Sequence, residues 1–148
     1  AFTLETARAA RYGTPLSLAL LDLDNFKQLN DTFGHAGGDR ALVHLAQTLH
    51  ALLRPTDLIA RIGGEEFAVL LPAATLVNAA ATIERIQSEL RDRPLESEGS
   101  HGTRITLEFS AGVGAWRAGE ALEALLMRAD AAMYAAKRAG KNCVIRDP

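Results

Sequence analysis

Arg61-Ile62-Gly63-Gly64-Glu65-Glu66-Phe67-Ala68-Val69-Leu70-Leu71 is the stretch on which the fold reading turns. Apolar and β-branched residues stand on both sides of a Gly-Gly pair, the pattern of a β-hairpin with a tight turn. Its strands are expected over Leu58–Ile62 and Glu66–Leu71. Glycines at the tip allow positive φ and close approach by another molecule. Glu65 and Glu66 follow the turn as neighbours, and neighbouring strand residues point to opposite faces, so they are expected to do different work. On the hairpin alone a metal-ligating carboxylate and a solvated turn with two surface glutamates both stand.

Working outward, Leu16-Ser17-Leu18-Ala19-Leu20-Leu21-Asp22-Leu23 is nearly continuous in apolar residues and reads as a central strand covered on both faces. A helix over Phe2 to Tyr12 precedes it, closed by Gly13 and Pro15. Asp24 reads as the cap of a short helix from Asn25 to Phe33. Gly34-His35-Ala36-Gly37-Gly38 reads as a glycine-rich turn flanked by Asn30 and Asp39. A longer helix follows, with Leu42, Leu45, Ala46, Leu49 and Leu52 on one face. After the hairpin, Leu76, Ala80, Ile83, Ile86 and Leu90 mark another helix, and Arg91 to Gly102 reads as a surface loop. Thr103 to Phe109 alternates, and Ser110-Ala111-Gly112-Val113-Gly114 is a strand whose glycines suggest close packing. Leu122, Leu125, Ala129, Met133 and Ala136 give the last helix, followed by a short strand, Cys143 to Ile145. Strands interleaved with helices indicate a mixed α/β sheet with helices on its faces.

The 148 residues suit one domain, and 48% hydrophobic with 23% charged is ordinary for a globular chain. A net charge of −2 offers no global attraction to nucleic acid or anionic membrane. One cysteine excludes an intrachain disulfide and a Cys-based metal cluster. No apolar run is long enough to span a bilayer. The chain lacks an initiator Met and opens inside a helical pattern, so it is read as a domain excised from a longer protein. His35, His44, His50 and His101 show no metal-ligand spacing. Trp116 and Tyr134 read as packing residues.

Asp22 stands at the carboxyl end of a buried strand, where open α/β sheets place ligands. Burying a carboxylate there is costly unless a cation or donors satisfy it. Asp22 and Glu65 together suit Mg²⁺, with capping or exposure the plainer alternative for Asp22. Amides from Asn25 to Lys27 open a helix and suit a phosphate. Asn30 and Asp39 match the donor and acceptor edge of guanine, though separately they read as a turn former and a helix cap. Lys137 and Lys141, at (i, i+4), are expected on one face of the last helix, where they oppose its dipole or clamp a polyphosphate.

In order along the chain, Asp22-Leu23-Asp24-Asn25-Phe26-Lys27, Asn30-Asp31-Thr32-Phe33-Gly34-His35, Gly38-Asp39, Gly63-Gly64-Glu65-Glu66-Phe67 and Ala129-Asp130-Ala131-Ala132-Met133-Tyr134-Ala135-Ala136-Lys137 resemble the GGDEF domain of diguanylate cyclases. The hairpin carries the family's Glu variant at its third position. The resemblance covers about Arg11 to Ile145 and makes residues 1–148 a single GGDEF catalytic domain. It implies a palm-like fold, as in nucleotidyl cyclases and polymerases, and condensation of two GTP into cyclic di-GMP with release of pyrophosphate. Implied metal ligands are Asp22, Glu65 and the Leu23 carbonyl, around two Mg²⁺ (or Mn²⁺) ions per site. Asn30 and Asp39 would read guanine. Lys137, Lys141 and amides near Phe26 and Lys27 would contact phosphates. Glu66 would help bind metal or deprotonate the attacking hydroxyl. With ordinary carboxyl values Asp22 and Glu65 would be ionised near neutral pH.

The resemblance also implies a C₂ homodimer for catalysis, a cytoplasmic location, and no nucleic acid or direct membrane contact by this domain. Arg54-Pro55-Thr56-Asp57 is similar to the family's inhibitory product site, with Arg85 as its secondary arginine. Lys141 stands where the family usually has Arg, keeping charge but losing the planar fork. The family's opening segment, with its link to a sensor, is absent before Ala1. A catalytically silent cyclic di-GMP receptor acting through Arg54 and Asp57 is the alternative. A different nucleotide cyclase on a similar palm is the third reading, disfavoured by the guanine-matching Asn30 and Asp39.

Overall fold

The computed structural model describes residues 1–96 and 103–148. His101 and most of the expected loop's second half, residues 97–102, lie outside the described residues. The elements run α1 (Phe2–Tyr12), β1 (Leu16–Leu23), α2 (Phe26–Leu52), β2 (Leu58–Arg61), β3 (Glu66–Pro72), α3 (Leu76–Asp92), β4 (Leu95–Glu96), β5 (Arg104–Ile105), β6 (Phe109–Ala115), α4 (Leu122–Arg138) and β7 (Val144–Arg146). A five-stranded sheet has the order β2-β3-β1-β6-β7, and β4 pairs with β5 separately. β1 is antiparallel to both β3 and β6, while β6 and β7 run parallel. This is the mixed α/β architecture expected from the pattern.

β1 is central because both of its faces are apolar. Ala19, Leu21 and Leu23 join the core built with α2 and α3. Leu16, Leu18 and Leu20 join a second core with Ala9 of α1 and Leu125, Ala129 and Met133 of α4. Side chains alternate along a strand, so Asp22 belongs with Leu18 and Leu20 on the α4 face. Its antiparallel partner is Glu66, which shares that face with Ala68 and Leu70. The sheet thus delivers two carboxylates to one face before any ligand is considered.

α4 reaches that face because β6 is thin. A Cβ on Gly112 would lie 2.0 Å from the Ala129 carbonyl oxygen and 2.3 Å from the Met133 nitrogen. Helix backbone therefore rests directly on strand backbone, and no larger residue fits. Arg128 fixes the same helix by donating to Glu120, Asp147 and the Ala115 carbonyl.

Several local expectations differ from the structure. Residues 26–52 are two helical segments, as expected, but they meet at a sharp kink at Gly34 (φ 76, ψ 173) rather than across a five-residue turn. Gly37 and Gly38 are helical and buried, and they serve packing: a Cβ at Gly38 would fall 1.8 Å from Asn30 Oδ1. Asp39 is consequently inside the helix and caps nothing. Asp24 is not the cap of α2; Asn25 holds that place in a left-handed conformation (φ 58), without a side-chain cap. The expected Arg91–Gly102 loop begins in α3 and contains β4. The Thr103–Phe109 alternation buries Ile105, Leu107 and Phe109, but only Arg104–Ile105 is paired there, because Phe109 already belongs to β6. Tyr134 is 63% exposed and is no packing residue.

Gly112→Ala is expected to destabilise the domain by roughly 2 kcal/mol or more, the cost of overpacking against backbone that cannot yield. Urea unfolding of the variant beside the parent checks it.

Candidate functional site

The C-terminal end of β1 gathers charge from three elements. Lys137, on the last turn of α4, places its ammonium 2.8 Å from Asp24 Oδ1, 3.3 Å from Asp22 Oδ1, 3.3 Å from the Leu23 carbonyl and 3.4 Å from the Asp22 carbonyl. Glu66 stands across the ladder from Asp22. Glu65 precedes β3, and its carbonyl accepts from the Leu23 amide at 3.3 Å, so the hairpin tip lies against the strand end. Arg61 shapes that tip, donating to the carbonyls of Gly63 and Gly64 at 2.7–3.2 Å.

Burial pushes the Asp22 carboxyl above its ordinary value; Lys137 opposes this, while Asp24 and Asp130 add to it. The expectation of an ordinary value does not hold for Asp22. Glu66 is also pushed up, first by burial, then by the neighbouring charges of Asp22, Asp130 and Glu65. Acid on acid in a partly dry site is unfavourable, and a further cation would relieve it.

Asp22, Glu66, the Leu23 carbonyl and the nearby Glu65 form a hard-oxygen donor set. Lys137 already lies on part of it as a cation. That chemistry fits Mg²⁺ or Mn²⁺, which take one or two carboxylates and leave positions for phosphate oxygens. Among the described residues no group of three or more His, Cys, Asp or Glu is placed to hold a metal ion by itself. A hard ion here would therefore need oxygens from a ligand.

Asn25 opens α2 without a side-chain cap, leaving the first-turn amides around Phe26 and Lys27 facing outward. Lys141 is not on α4, which ends at Arg138. It sits in a left-handed turn (φ 67), so it shares no helical face with Lys137. Its ammonium instead reaches Asn25 Oδ1 at 2.7 Å, beside the opening of α2. The two lysines thus approach the same region from different directions.

Asn30 Oδ1 is buried and has no hydrogen-bond partner among the described residues. Such an acceptor is costly unless a ligand supplies a donor. Gly38 leaves the room beside it, and Asp39 follows, exposed, on the rim of a cleft of about 590 Å³ with Val43, His50, Ile59 and Arg61.

Arg54 and Asp57 lie away from this site. Asp57 accepts from the Arg54 amide at 2.8 Å and from its guanidinium at 3.0 and 3.4 Å. The Asp57 side chain is 1% exposed and that of Arg54 52%, so Asp57 braces an arginine that faces outward. Arg54 also donates to the Pro72 carbonyl at 2.6 Å and lines a groove of about 500 Å³ against α1. Arg85 donates to the Leu52 carbonyl at the end of α2, close in chain to Arg54.

Sequence reasoning missed Asp24 as a site residue, along with its donors Ser110 and Asn142. A signal was present: Asp22 and Asp24 are two apart at a strand end, which points both carboxylates to one face.

The profile of the family "Diguanylate cyclase, GGDEF domain" matches residues 1–143. The chain is 45% identical over 138 residues to the diguanylate cyclase DgcP of Pseudomonas aeruginosa, covering 93% of this chain and 20% of that protein. It is 38% identical over 143 residues to the diguanylate cyclase DosC of Escherichia coli, covering 97% of this chain and 31% of that one. The chain therefore spans a third or less of the length of these relatives. Among solved structures, the GGDEF domain of DgcB from Caulobacter crescentus in complex with c-di-GMP superposes with a TM-score of 0.91 at 36% identity, covering 97% of this chain and 82% of that one. The active GGEEF domain of a diguanylate cyclase from Vibrio cholerae gives 0.87 at 32% identity, covering 98% and 90%. Residues 1–143 match that profile, and the carboxylates, lysines and hairpin above lie within them: the chain belongs to the GGDEF family of diguanylate cyclase domains.

Proposed function

We propose that this domain condenses two GTP molecules into cyclic di-GMP, releasing two pyrophosphates. The observation that carries the reading is the meeting of Asp22, Glu66 and Lys137 on the α4 face, with the Glu65 tip against Leu23. In this reading Asp22, Glu65 and the Leu23 carbonyl hold two divalent cations. When bound, such ions activate a hydroxyl and neutralise a departing pyrophosphate. Asn30 accepts from guanine at its unpartnered oxygen, and Asp39 accepts at the rim. The amides near Phe26 and Lys27, with Lys137 and Lys141, hold the triphosphate. Glu66, opposite Asp22, shares the cations or takes the proton of the attacking 3′-hydroxyl. The chain contributes position and charge rather than a covalent intermediate.

One domain holds one GTP, so the reaction requires two domains face to face, in the C₂ arrangement of the symmetric product. GTP as substrate places the domain in the cytoplasm. Among the described residues no helix is long and apolar enough to cross a membrane. The outward-facing Arg54, braced by Asp57 and near Arg85, is the product's inhibitory site; guanidinium pairs bidentately with phosphate and stacks on bases. The same arginine supports the second reading, a receptor that binds cyclic di-GMP without turnover.

Incubation with GTP and Mg²⁺ at high protein concentration is expected to yield cyclic di-GMP, and Glu65→Gln to lower the rate by roughly a hundredfold or more. Product binding without turnover would favour the receptor instead. Arg54→Ala is expected to abolish cyclic di-GMP binding by calorimetry and to relieve product inhibition, with turnover retained.

Charge predicts stability as well. A carboxyl whose folded value is raised stabilises the fold at low pH, and that contribution is lost as pH rises through the folded value. At neutral pH without divalent ions, Glu66→Gln is expected to melt above the parent, and the difference to shrink as pH falls into the ordinary carboxyl range. Adding Mg²⁺ with GTP should raise the parent's melting temperature more than the variant's.

A further inference from the structure

Asp24, just past the end of β1, has its carboxylate surrounded by donors. Its side chain is 1% exposed. Oδ1 accepts from Ser110 Oγ at 2.6 Å and from Lys137 Nζ at 2.8 Å, and Oδ2 accepts from the Asn142 amide at 2.8 Å. Its own amide donates to the Glu108 carbonyl at 2.8 Å. One buried carboxylate therefore ties together the end of β1, the start of β6, α4 and the turn after α4.

We propose that Asp24 is the positioning residue that holds Lys137 at the mouth of the cation site; this rests on the reading of that site as a nucleotide and metal site. An ammonium has three protons. Lys137 faces four oxygens, and the one at 2.8 Å belongs to Asp24, while the three contributed by Asp22 and Leu23 stand at 3.3–3.4 Å. Two of the long contacts, to Asp22 Oδ1 and the Leu23 carbonyl, go to oxygens a divalent cation would claim. Cation binding would displace the ammonium from Asp22 and Leu23 by competition and like-charge repulsion. The short bond to Asp24 remains, so Lys137 stays tethered within reach of phosphate instead of swinging into solvent. The same carboxylate fixes the Asn142 amide, next in chain to Lys141, whose ammonium stands at the opening of α2. Asp24 thus sets the direction of Lys137 without touching substrate.

A double-mutant cycle tests this, read by calorimetric binding of an α,β-methylene GTP analogue with Mg²⁺, independently of turnover. Lys137→Met and Asp24→Asn should each weaken binding about tenfold, and the double variant should bind no worse than Lys137→Met alone, because Asp24 acts through the lysine. Losses that multiply would overturn the proposal, as would Asp24→Asn binding like the parent. Should Asp24→Asn fail to fold, Ser110→Ala, which deletes one donor to the same oxygen, replaces it in the cycle. A loss of about threefold in the parent and none beside Lys137→Met supports the proposal; equal losses in both backgrounds, or none in either, overturn it. If the parent itself does not bind the analogue, the nucleotide reading falls and this proposal with it. Additive losses in a binding-competent parent overturn the positioning role alone.

Discussion

A carboxylate at the end of the innermost strand is the constraint around which this molecule is arranged. Asp22 follows Leu16, Leu18 and Leu20 in strand parity, so the alternation that builds the core also turns the acid toward α4. Burial there penalises its charge, Asp24 and Asp130 make the penalty larger, and Asp22 in turn pushes up Glu66 across the ladder. Lys137 offsets part of it from the facing helix. That helix can approach only because Gly112 presents no side chain. Core packing, helix approach and site charge are consequently one problem with one solution.

The remaining charge imbalance is the link from fold to chemistry. Two raised carboxyls, a backbone carbonyl under an ammonium, and uncapped amides at the start of α2 form adjacent patches of opposite sign. A cation–triphosphate complex has the complementary pattern, positive toward the acids and negative toward the amides and lysines. The buried Asn30 oxygen without a partner adds a second unmet demand, for a donor such as a guanine N–H. Neither demand is met among the described residues. Both would be met by one cation-bound nucleotide, so nucleotide recognition and metal binding would share one site.

Much of this was legible in the sequence, and the reasons for the rest are local. β1, the hairpin and the helices from Phe2, Leu76 and Leu122 announce themselves by apolar periodicity. The 34–38 segment misleads because its glycines are read as turn formers, whereas Gly37 and Gly38 are small for the sake of Phe33 and Asn30. Lys141 misleads because (i, i+4) spacing presumes a helix that has ended at Arg138. Asp24 reads as a cap because Asp before a helix commonly is one. Only the tertiary placement of Ser110, Lys137 and Asn142 shows that its oxygens are already taken. The β4–β5 pairing, two residues on each side, is too short to leave a periodic signal.

The acidic strand end must gather hard cations once a nucleotide is present. Mn²⁺ titration followed by electron paramagnetic resonance, with saturating α,β-methylene GTP analogue, measures this directly. Two Mn²⁺ per domain in the parent, with at least one lost in Asp22→Asn, is the predicted result. Mn²⁺ occupancy that is the same in parent and variant, after subtraction of the analogue's own binding, would contradict it.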